Sequence, residues 1–219
     1  MFVGHYAVSL AIKKIEPKLN LGWTFLAVML LDALLGFFVL FGIEKITIPS
    51  NYQELHYLTF EFPFSHGLVA ALVYSGLSFA IIKWFWRGNA NAIKVASLMA
   101  VAVFSHFLLD VIVHIPELPL LGNDSLKIGF GLWNNLWVAL GLEVVITIVG
   151  LIIFFKANPH RRAKIGIPIL IGLLTLFTVG GQAFSPAPSN VAGPAISWVV
   201  MTFIIALIAF WIDKDVKSK

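Results

Sequence analysis

His106, Asp110 and His114 stand four residues apart within the otherwise apolar segment 105–114. On an α-helix, side chains four residues apart lie on the same face, one turn above another. The spacing therefore predicts a helix that presents two imidazoles and a carboxylate along one face. Ionisable side chains inside a membrane helix are costly and usually face a cavity or a partner, so we expect this face to belong to a functional site.

Three further ionisable residues interrupt apolar sequence in the N-terminal half: His5, Asp32 and His66. The chain has no cysteine, which excludes thiolate ligands and leaves imidazole and carboxylate as the metal-binding groups. We expect His5, Asp32, His66 and His106 to be metal ligands, and Asp110 to be either a ligand or a general base.

This set of side chains has the chemistry of a hydrolytic metal site. Zn²⁺ is the expected ion, with Mn²⁺ or Fe²⁺ as alternatives. An ion with an open coordination position lowers the pKa of bound water to about 7 and polarises an ester or phosphoryl oxygen. His114 and Glu143 are further catalytic candidates that we expect to orient the ligands. The alternative for Glu143 is a structural hydrogen bond to Asn134, Asn135 or a threonine.

The composition is that of an integral membrane protein. Of 219 residues, 59% are hydrophobic and 12% charged, and the mean hydropathy is +0.93. Soluble domains are about 45–50% apolar and about 25% charged. We therefore expect an all-α, polytopic helical bundle that forms a single transmembrane domain over 1–219, with the lipid bilayer as its partner. The basic residues lie in short loops between apolar segments, which indicates membrane orientation rather than nucleic-acid binding.

Six segments are long and apolar enough to span a bilayer, which requires about 20 residues. The predicted spans are 21–43, 65–86, 91–114, 131–155, 163–181 and 191–212. A short amphipathic helix over 2–15 precedes them and is too short to cross.

Charge is distributed unequally between the two sides of this bundle. The basic residues on one side are Lys13, Lys14, Lys18, Lys83, Arg87, Lys94, Lys156, Arg161, Arg162, Lys164, Lys214, Lys217 and Lys219. The other side has only Lys45 and Lys127, together with Glu44, Glu54, Glu61, Glu117 and Asp124. Because basic loops stay in the cytoplasm, we expect both termini inside and the acidic loops outside.

Helix geometry predicts how deep each polar residue lies. At 1.5 Å per residue, His5, Asp32 and His106 reach a similar level, roughly 20 Å from the cytoplasmic side. His66 would lie about 30 Å above the cytoplasmic end of a straight helix. It can join the others only if its helix tilts or begins late.

The order of these residues resembles a known family. Gly4-His5, Leu31-Asp32, Ser65-His66 and Ser105-His106 with Asp110 four residues later resemble the motifs of the bacterial and archaeal membrane-bound metal-dependent hydrolases of the YdjM-like family. The likeness covers about the first half of the chain, and there is a looser similarity to zinc-dependent phospholipase C. It implies a prokaryotic inner-membrane protein with His5, Asp32, His66, His106 and Asp110 as the metal cluster. The family has Pro-Asp-Ile/Leu-Asp where this chain has Leu31-Asp32-Ala33, so a second carboxylate is missing and one metal is expected rather than two.

The expected function is therefore hydrolysis of a phosphoester or ester bond in a lipid or amphiphile that reaches the site from the outer face. Two alternatives stay open at this point. One is a transporter in which the same groups pass protons or a divalent cation. The other is a structural or partner-binding membrane protein in which His106 and Asp110 form only an interhelical hydrogen-bonded pair.

Overall fold

The computed structural model describes residues 1–214 and confirms an all-α architecture with two small β-hairpins. Lys217, Lys219 and the predicted cytoplasmic C-terminus lie outside the described residues. The helices are α1 (Val3–Ile15), α2 (Leu21–Val28), α3 (Leu30–Leu40), α4 (Tyr52–Leu55), α5 (Leu68–Phe85), α6 (Ala92–Val113), α7 (Leu136–Phe155), α8 (Arg161–Phe184) and α9 (Ala192–Ile212). A 3₁₀ turn at Leu132–Asn134 precedes α7.

The hairpins lie in the two long connections. Strand β1 (Lys45–Thr47) pairs antiparallel with β2 (Thr59–Glu61), with Ile46 opposite Phe60. Strand β3 (Leu118–Pro119) pairs antiparallel with β4 (Lys127–Ile128).

Helices α5 to α9 are each long and apolar enough to cross a membrane, so within residues 1–214 there are five such helices, or six if α2 and α3 form one broken span. The predicted span over 21–43 is not a single helix, since α2 and α3 meet at a 50° bend at Met29. Neither proline nor glycine stands at the break. Instead, the Val28 carbonyl bonds to Nδ1 of His106 in α6. This contact joins segments far apart in the chain, so the local sequence does not predict it.

The second and fourth predicted spans also begin later than expected. Helix α5 starts at Leu68, after a turn in which the His66 amide donates to the Phe62 carbonyl (3.0 Å). Helix α7 starts at Leu136, where the Asn135 side chain accepts from the Val138 amide (3.3 Å). Helix α7 thus begins at a side-chain cap, whereas α5 begins at Gly67, which has no side chain to cap it.

Helix α1 lies inside the bundle, packed mainly on α7, α2 and α6. Its Val3, His5 and Leu10 are fully buried. At Gly150 of α7, an added Cβ would lie 2.7 Å from the Ala7 Cα. Glycine at this position therefore lets the two helix backbones approach closely.

The bundle has two distinct ends. At the basic end, defined by residues 16–20, 86–91, 156–160 and 213–214, Lys94 pairs with Glu16 (2.9 Å) and Lys14 donates to the Lys156 carbonyl (2.6 Å). At the loop end, defined by residues 41–67 and 114–135, the Tyr57 hydroxyl bonds Asn134 (3.0 Å). The loops that their charges assigned to opposite sides of the membrane therefore lie at opposite ends of the bundle.

Candidate metal centre

Four side chains converge near the loop end: Asp32 from the first turn of α3, His66 from the turn before α5, and His106 and Asp110 from successive turns of α6. His106 Nε2 lies 3.1 Å from both His66 Nε2 and Asp110 Oδ2. His66 Nε2 lies 3.5 Å from Asp110 Oδ2. Asp32 Oδ1 lies 3.4 Å from His66 Nε2 and 3.5 Å from His106 Nε2.

These spacings suit an ion held by three donors. Zn²⁺ binds nitrogen and carboxylate oxygen at about 2.0–2.2 Å, which sets the distance between neighbouring ligand atoms at about 3.3–3.6 Å. The distances among Asp32, His66 and His106, and those among His66, His106 and Asp110, run from 3.1 to 3.5 Å. Either set of two imidazoles and one carboxylate can thus hold a Zn²⁺-sized ion with little movement of the chain.

A relay of hydrogen bonds orients His66. The Glu44 carboxylate accepts from the amides of Phe64 (2.7 Å) and Ser65 (2.8 Å) and from the Ser65 hydroxyl (2.6 Å). Because the Ser65 hydroxyl donates to Glu44, its oxygen accepts from Nδ1–H of His66 (2.9 Å). The proton of His66 is therefore on Nδ1, and its Nε2 lone pair points at the cluster. The Phe62 ring stacks on His66 with a centroid distance of 4.9 Å.

The broken span orients His106 in the same sense. Nδ1 of His106 lies 2.6 Å from the Val28 carbonyl, which can only accept, so Nδ1 carries the proton. In the neutral ring, the Nε2 lone pair then faces Asp32 and Asp110. The bend at Met29 thus has a chemical consequence, since it directs a main-chain acceptor to a candidate ligand.

The cluster has more acceptors than donors. His106 is 0% and Asp110 1% exposed. The Met1 nitrogen donates to Asp110 Oδ1 (2.9 Å), while the Nε2 atoms of His66 and His106 lie 3.1 Å apart in a buried space with two carboxylates. When each ring carries a single proton, on Nδ1, both Nε2 atoms are acceptors, and a cation satisfies this arrangement.

His5 lies beside this four-atom set rather than within it. Its Nε2 is 3.2 Å from Asp110 Oδ1, the other carboxylate oxygen, and the Met1 nitrogen lies 2.9 Å from the same atom. The His5 ring stacks parallel on His106, with 3.8 Å between centroids. Within residues 1–214, neither ring nitrogen of His5 has a hydrogen bond of good geometry.

His5, His106 and Asp110 form a second possible three-donor group, as do Asp32, His66 and His106. Both groups need Nε2 of His106, because its Nδ1 is bonded to Val28. One nitrogen lone pair binds one ion, so the two groups cannot both be filled through His106.

His114 borders the centre on the loop side. Its Nε2 lies 3.9 Å from Asp110 Oδ2, and its Nδ1 donates to Glu117 Oε1 (2.7 Å). The Trp133 ring packs against the imidazole at 3.9 Å. Burial lowers the pKa of His114, against the opposing effect of Glu117. A neutral imidazole with its free nitrogen towards the centre follows from these contacts.

Glu143 bonds the start of α1, the helix that carries His5. Its carboxylate accepts from the backbone amides of Phe2 (3.1 Å) and Gly4 (3.2 Å). The alternative partners are not used within residues 1–214, since Asn134 bonds Tyr57, Asn135 caps α7, and the hydroxyl of Thr147, one turn along α7, has no hydrogen bond.

Three residues near the centre went unrecognised in the sequence: Glu44, Ser65 and Glu117. Glu44 and Glu117 read as ordinary acids of exposed loops, yet both are buried. The available signals were the position of Ser65 directly before His66 and of Glu117 three residues after His114. Neither signal identifies an orienting residue unless the fold of the loops is known.

A cavity of about 160 Å³ connects the centre with the loop end. Asp32, His66, Asp110 and His114 line its inner part, and Tyr57 and Trp133 line its outer part. A polar group that enters from the loop end therefore reaches the candidate ligands directly.

No family model, no curated protein and no solved structure matches this chain. The resemblance to the YdjM-like family therefore stays a prediction.

Proposed function

We propose that the chain is a membrane-embedded, metal-dependent hydrolase of the kind its motifs resemble in the YdjM-like family. The observation that carries the proposal is the convergence of buried imidazole and carboxylate donors around His106 Nε2, with Nδ1 of both His66 and His106 bonded to a fixed acceptor. The substrate class is a lipid or amphiphile with a phosphoester or ester bond.

Asp32, His66, His106 and Asp110 would hold one ion, with Zn²⁺ the best match and Mn²⁺ or Fe²⁺ the alternatives. When bound, the ion supplies Lewis acidity and lowers the pKa of water. His5 positions Asp110 through its second oxygen and through the stack on His106.

His114 is the proposed proton carrier. Hydrolysis adds a hydroxide to the phosphorus or acyl carbon and a proton to the leaving oxygen. Nε2 of His114 accepts the proton of the attacking water and then returns it to the leaving group. Glu117 holds Nδ1–H and stabilises the imidazolium between these two transfers, as the acid of a catalytic triad does.

The packing between the centre and the basic end favours an enzyme over a transporter. On the side towards the basic end, the buried side chains of Tyr6, Leu10 and Phe25 fill the core, with the Tyr6 and Phe25 rings 4.6 Å apart. The cavity at the centre, by contrast, leads to the loop end. This arrangement suits a reaction chamber with one polar entrance.

Metal analysis of protein purified without chelators tests the proposal. We expect about one ion per chain in the wild type, none in His106→Ala, and unchanged content in His160→Ala, which removes a histidine at the basic end. Release of p-nitrophenol from hexadecyl p-nitrophenyl phosphate should follow the metal content. Equal metal in the wild type and His106→Ala would refute the ligand assignment. Cation uptake into proteoliposomes, without hydrolysis, would favour the transporter.

We further infer that the protein lies in a prokaryotic inner membrane with the basic end in the cytoplasm and the loop end outside. The support is the concentration of lysine and arginine at the basic end. Because the chain has no cysteine, single cysteines can report orientation without background. In intact cells, Asn123→Cys should react with a membrane-impermeant maleimide and Asn89→Cys should not. The reverse pattern would invert the topology.

A further inference from the structure

A second cavity, of about 230 Å³, lies between α8 and α9 and is predominantly apolar. Phe177 and Gly181 of α8 and Ser197 and Met201 of α9 form its walls. We propose that this cavity, the α8/α9 cleft, holds the first part of the hydrocarbon chain of an amphiphile whose polar head lies at the metal centre. This inference rests on the proposed function and specifies its substrate as an amphiphile bound by a single chain from the side.

The cleft adjoins the metal centre through shared walls. Phe2, Gln182 and Trp198 line both this cleft and the cavity that contains Asp32 and Asp110. At the junction, Gln182 contributes an amide beside aromatic side chains. Such a boundary suits a molecule whose polar head and apolar chain are joined at that point.

The cleft reaches the outer surface of the bundle. Phe177 is 59% exposed and Ser197 is exposed, and both stand on helices apolar enough to span a membrane. Gly181 lies three residues before the end of α8, and Ser197 five residues after the start of α9. These positions are about 5–8 Å from the helix ends, close to the level where lipid chains meet head groups.

Small side chains keep the cleft open. A Cβ built on Gly181 meets no atom within 4 Å, whereas a Cβ on Gly166, lower in α8, would lie 2.8 Å from Ile212 of α9. Glycine near the basic end therefore allows α8 and α9 to touch, and glycine at the cleft leaves space between them. The two helices therefore touch at Gly166 and leave room at Gly181.

The volumes suit this division of the ligand. An apolar cavity of about 150 Å³ accommodates a benzene ring, so the cleft has room for several methylene groups. Neither cavity alone reaches the roughly 300 Å³ at which ligand pockets begin, and the two together exceed it. The remaining chain would extend into the surrounding lipid.

Gly181→Phe and Gly180→Phe provide a matched test. Both positions accept a Cβ without a contact inside 4 Å, but only Gly181 lines the cleft. We expect Gly181→Phe to weaken use of hexadecyl p-nitrophenyl phosphate by at least about tenfold, the effect of excluding two methylene groups. Its metal content and its hydrolysis of methyl p-nitrophenyl phosphate should match the wild type, and Gly180→Phe should leave all three readouts unchanged. Equal losses in the two variants, or no loss in Gly181→Phe, would overturn the proposal.

A binding measurement separates the cleft from the hydrolase. Hexadecyl phosphate with a diazirine on its first methylene groups should cross-link to Phe177 and Met201, and Gly181→Phe should reduce these products at least about tenfold. Cross-links spread equally over lipid-facing residues such as Val145 and Leu173 would overturn the cleft. Failure of the hydrolase appears separately, as absent metal and absent p-nitrophenol release, whatever the cross-linking pattern.

Discussion

Buried charges occur at both ends of this bundle, and the two groups differ in their balance of hydrogen-bond donors and acceptors. At the basic end, Lys13 Nζ lies 2.6 Å from Asp213 Oδ2 and also donates to the Leu19 carbonyl (3.1 Å). The Leu21 amide donates to the same Asp213 oxygen (2.8 Å). Donors meet acceptors there, and a positive charge faces a negative one.

At the metal centre, acceptors outnumber donors. The Nε2 atoms of His66 and His106 lie 3.1 Å apart and face the carboxylates of Asp32 and Asp110, and the Met1 nitrogen donates to Asp110 Oδ1 (2.9 Å). Burial of charge therefore does not by itself identify a functional site. The balance of donors and acceptors separates a structural ion pair from a site that requires a cation.

The sharpest test of this comparison removes one buried carboxylate charge from each end. Asp110→Asn should change the metal content from about one ion per chain to none, because an amide is a poor ligand and the charge of the cluster is reduced. Asp213→Asn should keep the ion. Metal analysis and competition with a zinc chelator measure both. If both variants lose metal, the ion depends on the fold and not on the centre.

Lys13→Met should cause the largest loss of stability. It removes the Lys13 ammonium from the buried Asp213 carboxylate, which keeps the Leu21 amide (2.8 Å) and His160 (3.7 Å) as neighbours, and breaking such a buried pair costs about 3–5 kcal/mol. The melting temperature in detergent should fall while metal content per folded chain stays constant. The double variant Lys13→Met/Asp213→Leu should recover much of the loss. A Lys13→Met protein as stable as the wild type would show that the ion pair contributes little.

Ser65→Ala should weaken the metal centre without emptying it. The substitution removes the acceptor that holds Nδ1–H of His66, and loss of such a supporting group typically reduces metal affinity about 10–100-fold. Ser75→Ala is the control, since Ser75 is also buried but its hydroxyl has no hydrogen bond within residues 1–214. Chelator titration compares the two variants, and equal affinities would remove Ser65 from the relay.

The smallest effect is expected for Glu143→Gln. The amide oxygen still accepts from Phe2 and Gly4, but hydrogen bonds to a charged acceptor are stronger by about 1 kcal/mol. The melting temperature should fall slightly and the metal should remain. Loss of metal in this variant would give Glu143 a direct role that its contacts do not indicate.

Local patterns in the sequence predicted much of the fold. Helices α6, α8 and α9 match the predicted spans to within about three residues, because hydropathy and the helical period act over a single segment. The i, i+4 spacing also placed His106 and Asp110 on one face. The same rules failed at Met29 and at His66, where a contact with another element decides whether the helix continues or begins.

The sequence by itself determined a membrane-spanning all-α bundle and a set of imidazoles and carboxylates with no thiol among them. Composition and helical periodicity suffice for this, because each acts within one segment. Only the tertiary structure decided that these side chains converge around His106, that Glu44 and Glu117 support them, and that α8 and α9 part near the centre. These features depend on contacts between residues far apart in the chain, and no local pattern specifies which partners meet.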